Sequence, residues 1–317
     1  DDAAMMANTL VLRDKGSVGS EGHFNDSAES LLTGLILYVA FTEHDPLRRN
    51  LITVRKLLTQ APEDWAETLQ KMARAPYADG RIASAANTFL SKSDREGPAV
   101  LSTAVRHTNF LDMNRMRQVL GSSDLCLPFD QVGGQASRWL RLMITLSLTA
   151  LSRTKGPVDP GVLFLLDEFA SLGHMRMAER AMAEGRGYGV RMWPILQDLN
   201  QLKDSYRDGW QTFIGNARVL QFFGTADMFT AEYVSKLLGT TTVWSSGSSG
   251  DRESVSETGR ALMTPDEVMH LGASEELLIV RGLRPIRAEK LPYFRTGLAK
   301  LADPNPMMAH GQPGEGT

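Results

Sequence analysis

The feature that most constrains this chain is the stretch 161–173, Gly-Val-Leu-Phe-Leu-Leu-Asp-Glu-Phe-Ala-Ser-Leu-Gly. The apolar run from Val162 to Leu166 ends abruptly in two adjacent carboxylates and then in small, turn-forming residues. A run with no polar interruption predicts a strand covered on both faces, as in a parallel sheet. Asp167 and Glu168 then fall at the carboxyl end of that strand, where open α/β sheets place their ligands. This is the layout of a Walker B element. Asp167 is expected to hold Mg²⁺, directly or through water, and Glu168 to polarise an attacking water. A buried strand capped by a solvated Asp-Glu pair is the plainer alternative, and the rest of the chain weighs against it.

With 317 residues the chain can bury a large core and could hold two domains. Its net charge of −3 gives no global signal for nucleic acid, so any DNA contact must come from local patches. Cys126 stands alone, which excludes an intrachain disulfide and fits a reducing compartment. The longest apolar stretch, Leu31 to Phe41, contains Thr33, Gly34 and Tyr38 and is too short to span a bilayer. The expectation is a soluble, cytoplasmic chain, and the start at Asp1 is expected of a processed or truncated piece.

Along the chain, a helix-like start (3–12) leads into a Gly-rich segment with Gly16, Gly19 and Gly22. Asn25 or Asp26 can cap a helix that runs to about Val39. Residues 43–120 read as short amphipathic helices (47–59, 62–75, 80–91, 98–109) punctuated by Pro and Gly, with no strand pattern: an all-α insertion. The motor portion accordingly begins in 1–42 and resumes over 121–300. There, strand and helix alternate: helix 135–152, the Walker B strand, helix 175–185, strand 190–196, helix 210–214, strand 217–223 and helix 229–238, with weaker strands near 241–244 and 277–281. Such alternation predicts an α/β fold with a doubly wound parallel sheet. Residues 245–257 read as a polar, flexible loop and 301–317 as a flexible tail.

The strand 190–196 leads into Gln197-Asp198. A Gln ending the strand beside Walker B suits a γ-phosphate sensor or water-orienting residue, because its amide both donates and accepts. A turn-forming Gln-Asp that caps the next helix is the alternative. Gly185-Arg-Gly-Tyr-Gly189 leads into a strand rather than opening a helix, so it reads as a helix end with left-handed glycines and not as a phosphate loop. No G-x-x-x-x-G-K-[ST] occurs. Either the phosphate cradle lies upstream in a longer polypeptide, or nucleotide binding is vestigial. Arg218 and Arg260 are both candidates for an arginine finger reaching across a subunit boundary, against the simpler roles of surface or salt-bridged arginines. The six His residues are scattered and none pairs with Cys126 at zinc-ligand spacing. There is no G-x-S-x-G elbow. In the helical block, Arg48, Arg49, Arg55, Lys56, Lys71, Arg74 and Arg81 alternate with acids, and Trp65, Tyr77 and Phe89 are available for base stacking; a solvated helical surface is the more economical account of the charges.

Three segments run in a recognisable order: 165–173 (Leu-Leu-Asp-Glu-Phe-Ala-Ser-Leu-Gly), 195–202 (Ile-Leu-Gln-Asp-Leu-Asn-Gln-Leu) and 223–227 (Phe-Gly-Thr-Ala-Asp). Residues 23–32 (His-Phe-Asn-Asp-Ser-Ala-Glu-Ser-Leu-Leu) and 258–268 (Thr-Gly-Arg-Ala-Leu-Met-Thr-Pro-Asp-Glu-Val) add to the pattern. Together they resemble type IV secretion coupling proteins, the TraG/TraD-type conjugation ATPases. The resemblance implies a RecA-like P-loop NTPase domain interrupted by an all-α domain, and a homo-hexamer hydrolysing ATP with Mg²⁺ at subunit interfaces. It implies transfer of single-stranded DNA, or of protein effectors, to a type IV secretion channel, with relaxase or relaxosome partners, at the cytoplasmic face of the bacterial inner membrane. Asp167 and Glu168 match the family's Walker B pair, and Gln197 the glutamine ending the next strand. The chain departs from the family in lacking Walker A and in a short approach to Leu127-Pro128. A piece without membrane anchor and phosphate loop is compatible with a monomer. Two other readings remain: a non-catalytic docking module built on the helical block, and an FtsK/HerA-type DNA translocase, against which the position of the helical block argues.

Overall fold

The computed structural model describes residues 1–11, 20–121, 136–249 and 252–301. The Gly-rich segment around Gly16 and Gly19, the approach 121–135 with Cys126, and the tail beyond 301 lie outside the described residues, Gly121 excepted. The chain forms two compact units, Asp1–Ile195 and Leu196–Thr317.

The first unit begins as a helical body. Its helices are α1 (Asp2–Leu10), α2 (Ser20–Thr42), α3 (Leu51–Leu58), α4 (Pro62–Ala73), α5 (Arg81–Leu90), α6 (Glu96–Thr108), α7 (Asn114–Gly121) and α8 (Ala136–Ser152). Helix α2 is its axis. Ala28, Leu31, Leu32, Leu35 and Val39 recur at helical spacing and are buried. They share one apolar cluster with Leu10, Met72, Ile82, Val100, Phe110 and Leu142, drawn from the surrounding helices and the short 3₁₀ turn Asn109–Asp112. Gly34 makes the tightest crossing possible: a Cβ there would lie 2.4 Å from the Ala85 Cβ on α5. Local signals set the helix ends. Asn50 caps α3 by accepting from the Ile52 and Thr53 amides at 3.0 and 3.1 Å, and Pro62 opens α4 where its missing N–H costs nothing.

One charged group is built into this body. Arg55 is buried and donates to both Asp112 oxygens, to the Val105 carbonyl at 2.7 Å and to Thr108 Oγ1 at 3.0 Å. Each guanidinium nitrogen has a partner, which makes the burial tolerable. The Arg55 hydrogen bond holds the Asp112 carboxyl below its ordinary range. Trp65 and Phe89, candidates for base stacking, instead meet edge to face at 5.7 Å against the core. Tyr77 does lie exposed, stacked on Phe41.

The unit closes with β1 (Val162–Leu166), α9 (Arg176–Glu184) and β2 (Val190–Pro194). β1 and β2 pair in parallel, Val162 opposite Val190 and Leu166 opposite Pro194, as strand–helix–strand alternation predicts. Gly189 has φ +77°, and a Cβ on it would meet Val158 backbone atoms at 2.6–2.7 Å. Gly161 comes equally close to the Gly189 carbonyl, so glycines on both sides let the strands enter the pair. Gly185 itself is right-handed helical, unlike the sequence-based expectation. The uninterrupted apolar run also predicted a strand covered on both faces. Here Leu163, Leu165 and Trp193 are about half exposed.

The second unit holds α10 (Leu199–Tyr206), α11 (Trp210–Asn216), β3 (Val219–Phe222), α12 (Met228–Leu238), β4 (Thr240–Ser249), β5 (Arg252–Ala261), α13 (Pro265–Met269), β6 (Glu275–Val280) and β7 (Ile286–Glu289). Its three-stranded sheet has the order β3-β6-β7 and is antiparallel. The α/β class therefore holds, while the expected all-parallel pairing is seen only for β1 and β2. Residues 245–257, expected to be a loop, belong largely to the antiparallel hairpin β4–β5, paired from Thr240–Ala261 out to Ser249–Arg252. Its Ser/Gly composition hides a strand whose register is set by the pairing at its base. One apolar cluster of this unit is Ala231, Val234, Leu238, Val268, Leu271 and Leu277; Leu199, Leu202, Tyr206, Trp210 and Phe213 are buried as well.

Candidate functional site

Asp167 and Glu168 follow β1 directly, and both are exposed. Asp167 Oδ1 accepts the Glu168 amide at 3.0 Å, which turns the chain sharply. Glu168 itself is left-handed, with φ 48° and ψ 43°. A non-glycine residue pays about 1–2 kcal/mol for that conformation and keeps it only where neighbours enforce it. They do so here. The Phe169 amide donates to the Ile195 carbonyl at 3.0 Å, and the Ser171 amide returns to the Glu168 carbonyl at 2.8 Å. Residues Phe169–Leu172 form a 3₁₀ turn whose Phe169 and Leu172 side chains are buried. The Ile195 amide donates to the Leu166 carbonyl at 2.9 Å, so the parallel pair continues to the edge of the site.

The far end of that turn is clasped from α8. Arg141 Nη1 donates to the His174 carbonyl at 2.9 Å and also to the Leu172 carbonyl, on either side of Gly173. Gly173 has φ +63°. Burial, with Arg141 and Arg176 nearby against an attracting Glu179, lowers the pKa of His174 and favours its neutral form. Sequence reading missed Arg141, since one arginine among the polar positions of an amphipathic helix carries no local signal.

No described cation pairs with either carboxylate. Both Glu168 oxygens and one oxygen of Asp167 are left available, and hard carboxylate oxygens are the donors Mg²⁺ prefers. The metal side of a nucleotide site therefore fits. The sequence contains no G-x-x-x-x-G-K-[ST] pattern to cradle the phosphates.

Gln197 is exposed, two residues before the start of α10. Its amide donates to Gln201 Oε1 at 3.3 Å. Asp198 caps α10 through the Gln201 amide at 2.9 Å, so the capping role falls to Asp198 and the Gln197 side chain stays open. The segments 195–202 and 223–227 meet: Asn200 Nδ2 donates to Asp227 Oδ1 at 2.9 Å, and the Leu199 amide to Thr230 Oγ1 at 3.0 Å. Asp227 also caps α12 through Thr230, whose hydroxyl is the largest influence lowering its pKa. Arg218 is exposed before β3, and no described residue bonds its guanidinium. Arg260 is held by Glu267 at 2.6 Å, within the capping box Thr264–Glu267 that starts α13.

The coupled motifs, in this order on an α/β scaffold, match the type IV secretory system conjugative DNA transfer family over residues 1–315. The chain belongs to this family. It is 28% identical over 313 residues to the conjugal transfer protein TraG of Agrobacterium fabrum, covering 90% of this chain and 47% of that protein. It is 26% identical over 315 residues to the type IV secretion system-coupling protein VirD4 of Bartonella quintana, covering 90% of this chain and 48% of that protein. The chain thus spans about half the length of the curated relatives it matches. In fold it resembles the bacterial conjugative coupling protein TrwBdeltaN70, with a TM-score of 0.69 at 17% identity, covering 91% of this chain and 68% of that one. TrwB has also been solved in complex with ADP and Mg²⁺, at a TM-score of 0.66. Among the described residues no helix is long and apolar enough to cross a membrane.

Proposed function

We propose that this chain carries the hydrolytic half of the ATPase site of a type IV secretion coupling protein, which recruits substrate and drives single-stranded DNA or protein toward the secretion channel. The observation that carries this reading is the carboxylate pair at the end of β1, with Glu168 held in a left-handed turn and its oxygens free of any described cation. Asp167 would hold Mg²⁺, whose contribution is neutralisation of the charge developing on the phosphates. Glu168 accepts the proton of the attacking water and orients it. Gln197 has its side-chain amide open to sense a γ-phosphate. Of the two arginines, Arg218 is the better candidate to cross a subunit boundary, because Arg260 is already engaged by Glu267. The same reading places the assembled protein as a homo-hexamer at the cytoplasmic face of the inner membrane, with relaxosome or effector partners.

The test is ATP turnover by the full-length protein, with and without single-stranded DNA, beside its Glu168→Gln variant. DNA-stimulated turnover that falls about 100-fold or more in the variant supports the reading. Normal turnover in Glu168→Gln removes Glu168 from the site. Absence of turnover in the wild type, with substrate delivery intact, makes the protein a docking module instead.

A further inference from the structure

Helix α8 carries two arginines one turn apart, and both act as clasps. Arg138 donates to the carbonyls of Arg106 and His107 at 3.0 and 3.2 Å and to Asn109 Oδ1, closing the end of α6. Arg141 closes the end of the turn that begins at Glu168. The two clasps are alike in chemistry and differ in what they hold.

The turn is short and fixed at both ends. At its start, the Phe169 amide bonds the Ile195 carbonyl and the Phe169 ring is buried. At its end, one guanidinium nitrogen gathers the carbonyls flanking Gly173. Between them the Ser171 and Gly173 amides bond the Glu168 and Ala170 carbonyls at 2.8 and 3.0 Å. Glu168 occupies a conformation it would leave if either end were released. A partly buried guanidinium donating to carbonyls also holds more firmly than the same pair in water.

We infer that Arg141 is a positioning residue for Glu168: by clasping the Leu172 and His174 carbonyls it keeps the 3₁₀ turn closed and the Glu168 carboxylate aimed at its reaction partner. This rests on the ATPase reading of Glu168, and two separate measurements keep the two apart. The first is hydrogen exchange on the chain itself. In Arg141→Met, the Ser171 and Gly173 amides are expected to lose about 10-fold or more of their protection relative to wild type, while β1, β2 and α6 keep theirs. Arg141→Lys restores it, since a single nitrogen makes both bonds. Unchanged protection at Ser171 and Gly173 overturns the inference, whether or not the protein turns over ATP. The second is steady-state turnover of the full-length protein. Arg141→Met should lower kcat by about 10- to 100-fold with KM for ATP within about twofold, and Arg141→Lys should recover most of it. Arg138→Met, which opens only the α6 clasp, is the structural control. A kcat loss in Arg141→Met that matches that of Arg138→Met, or that vanishes when corrected for folded fraction, overturns the positioning role.

Discussion

The helical body of the first unit and the sheet of the second solve the problem of burial differently. In the helical body, α2 is surrounded, and its apolar stripe is almost fully covered by α1, α5 and α6. The second unit buries its helices, with Leu202, Trp210, Phe213, Ala231 and Val234 covered, while Val219, Phe223, Leu283 and Ile286 on or beside its strands stay exposed along with Leu291, Tyr293, Phe294 and Leu298. The β1–β2 pair shares the second pattern, with Leu163, Leu165 and Trp193 facing outward. Helices close their backbone hydrogen bonds internally and need neighbours only for side chains. Strands need both edge partners and face partners. The difference shows which part of the chain is self-sufficient in packing and which part presents surface suited to further polypeptide.

That contrast can be broken most forcefully in the helical body. Phe110 is fully buried there, and Phe110→Ala is expected to cost about 3–5 kcal/mol by leaving a cavity that rigid helices cannot close. Chemical denaturation followed by far-UV circular dichroism checks this, and a loss below about 1 kcal/mol would mean that the helical core is far more plastic than its packing implies. A smaller effect of opposite sign is expected at the site. Glu168→Gly should stabilise the first unit by roughly 1 kcal/mol by relieving the left-handed conformation, while Glu168→Val destabilises it. A Glu168→Gly protein no more stable than wild type would show that the turn stores no strain. The smallest effect belongs to the open face of β1. Leu165→Thr keeps strand propensity and should change the stability of this chain by no more than about 0.5 kcal/mol while reducing its binding of a hydrophobic dye. A large stability loss would mean that this face is covered in solution and would remove the contrast.

Much of the helical body was readable from periodicity, because an amphipathic helix writes its buried face at i, i+3, i+4 in its own sequence, as α2 does with Leu31, Leu32 and Leu35. Helix α10 enters the sequence reading only as the helix that Gln197-Asp198 would cap, and its start is marked by Asp198. The hairpin over 240–261 was hidden for a different reason: Ser and Gly have little strand preference, and the pairing partner lies in the other arm. Arg260 illustrates the limit at the level of a side chain. Thr264-Pro-Asp-Glu267 announces a capping box, but only the folded hairpin brings Arg260 onto Glu267.

The sequence by itself determined the strand–carboxylate junction at Leu166-Asp167-Glu168 and the family to which it belongs, because both are written in contiguous residues whose chemistry is local. It also determined most helices, through spacing and caps. Tertiary structure alone decided that Glu168 is left-handed, that Arg141 clasps the turn behind it, that Asn200 and Asp227 join two distant motifs, and that one face of β1 is open. These depend on which segments meet across long stretches of chain, and the energies that choose among such meetings come from packing and hydrogen-bond closure rather than from the preferences of any single residue.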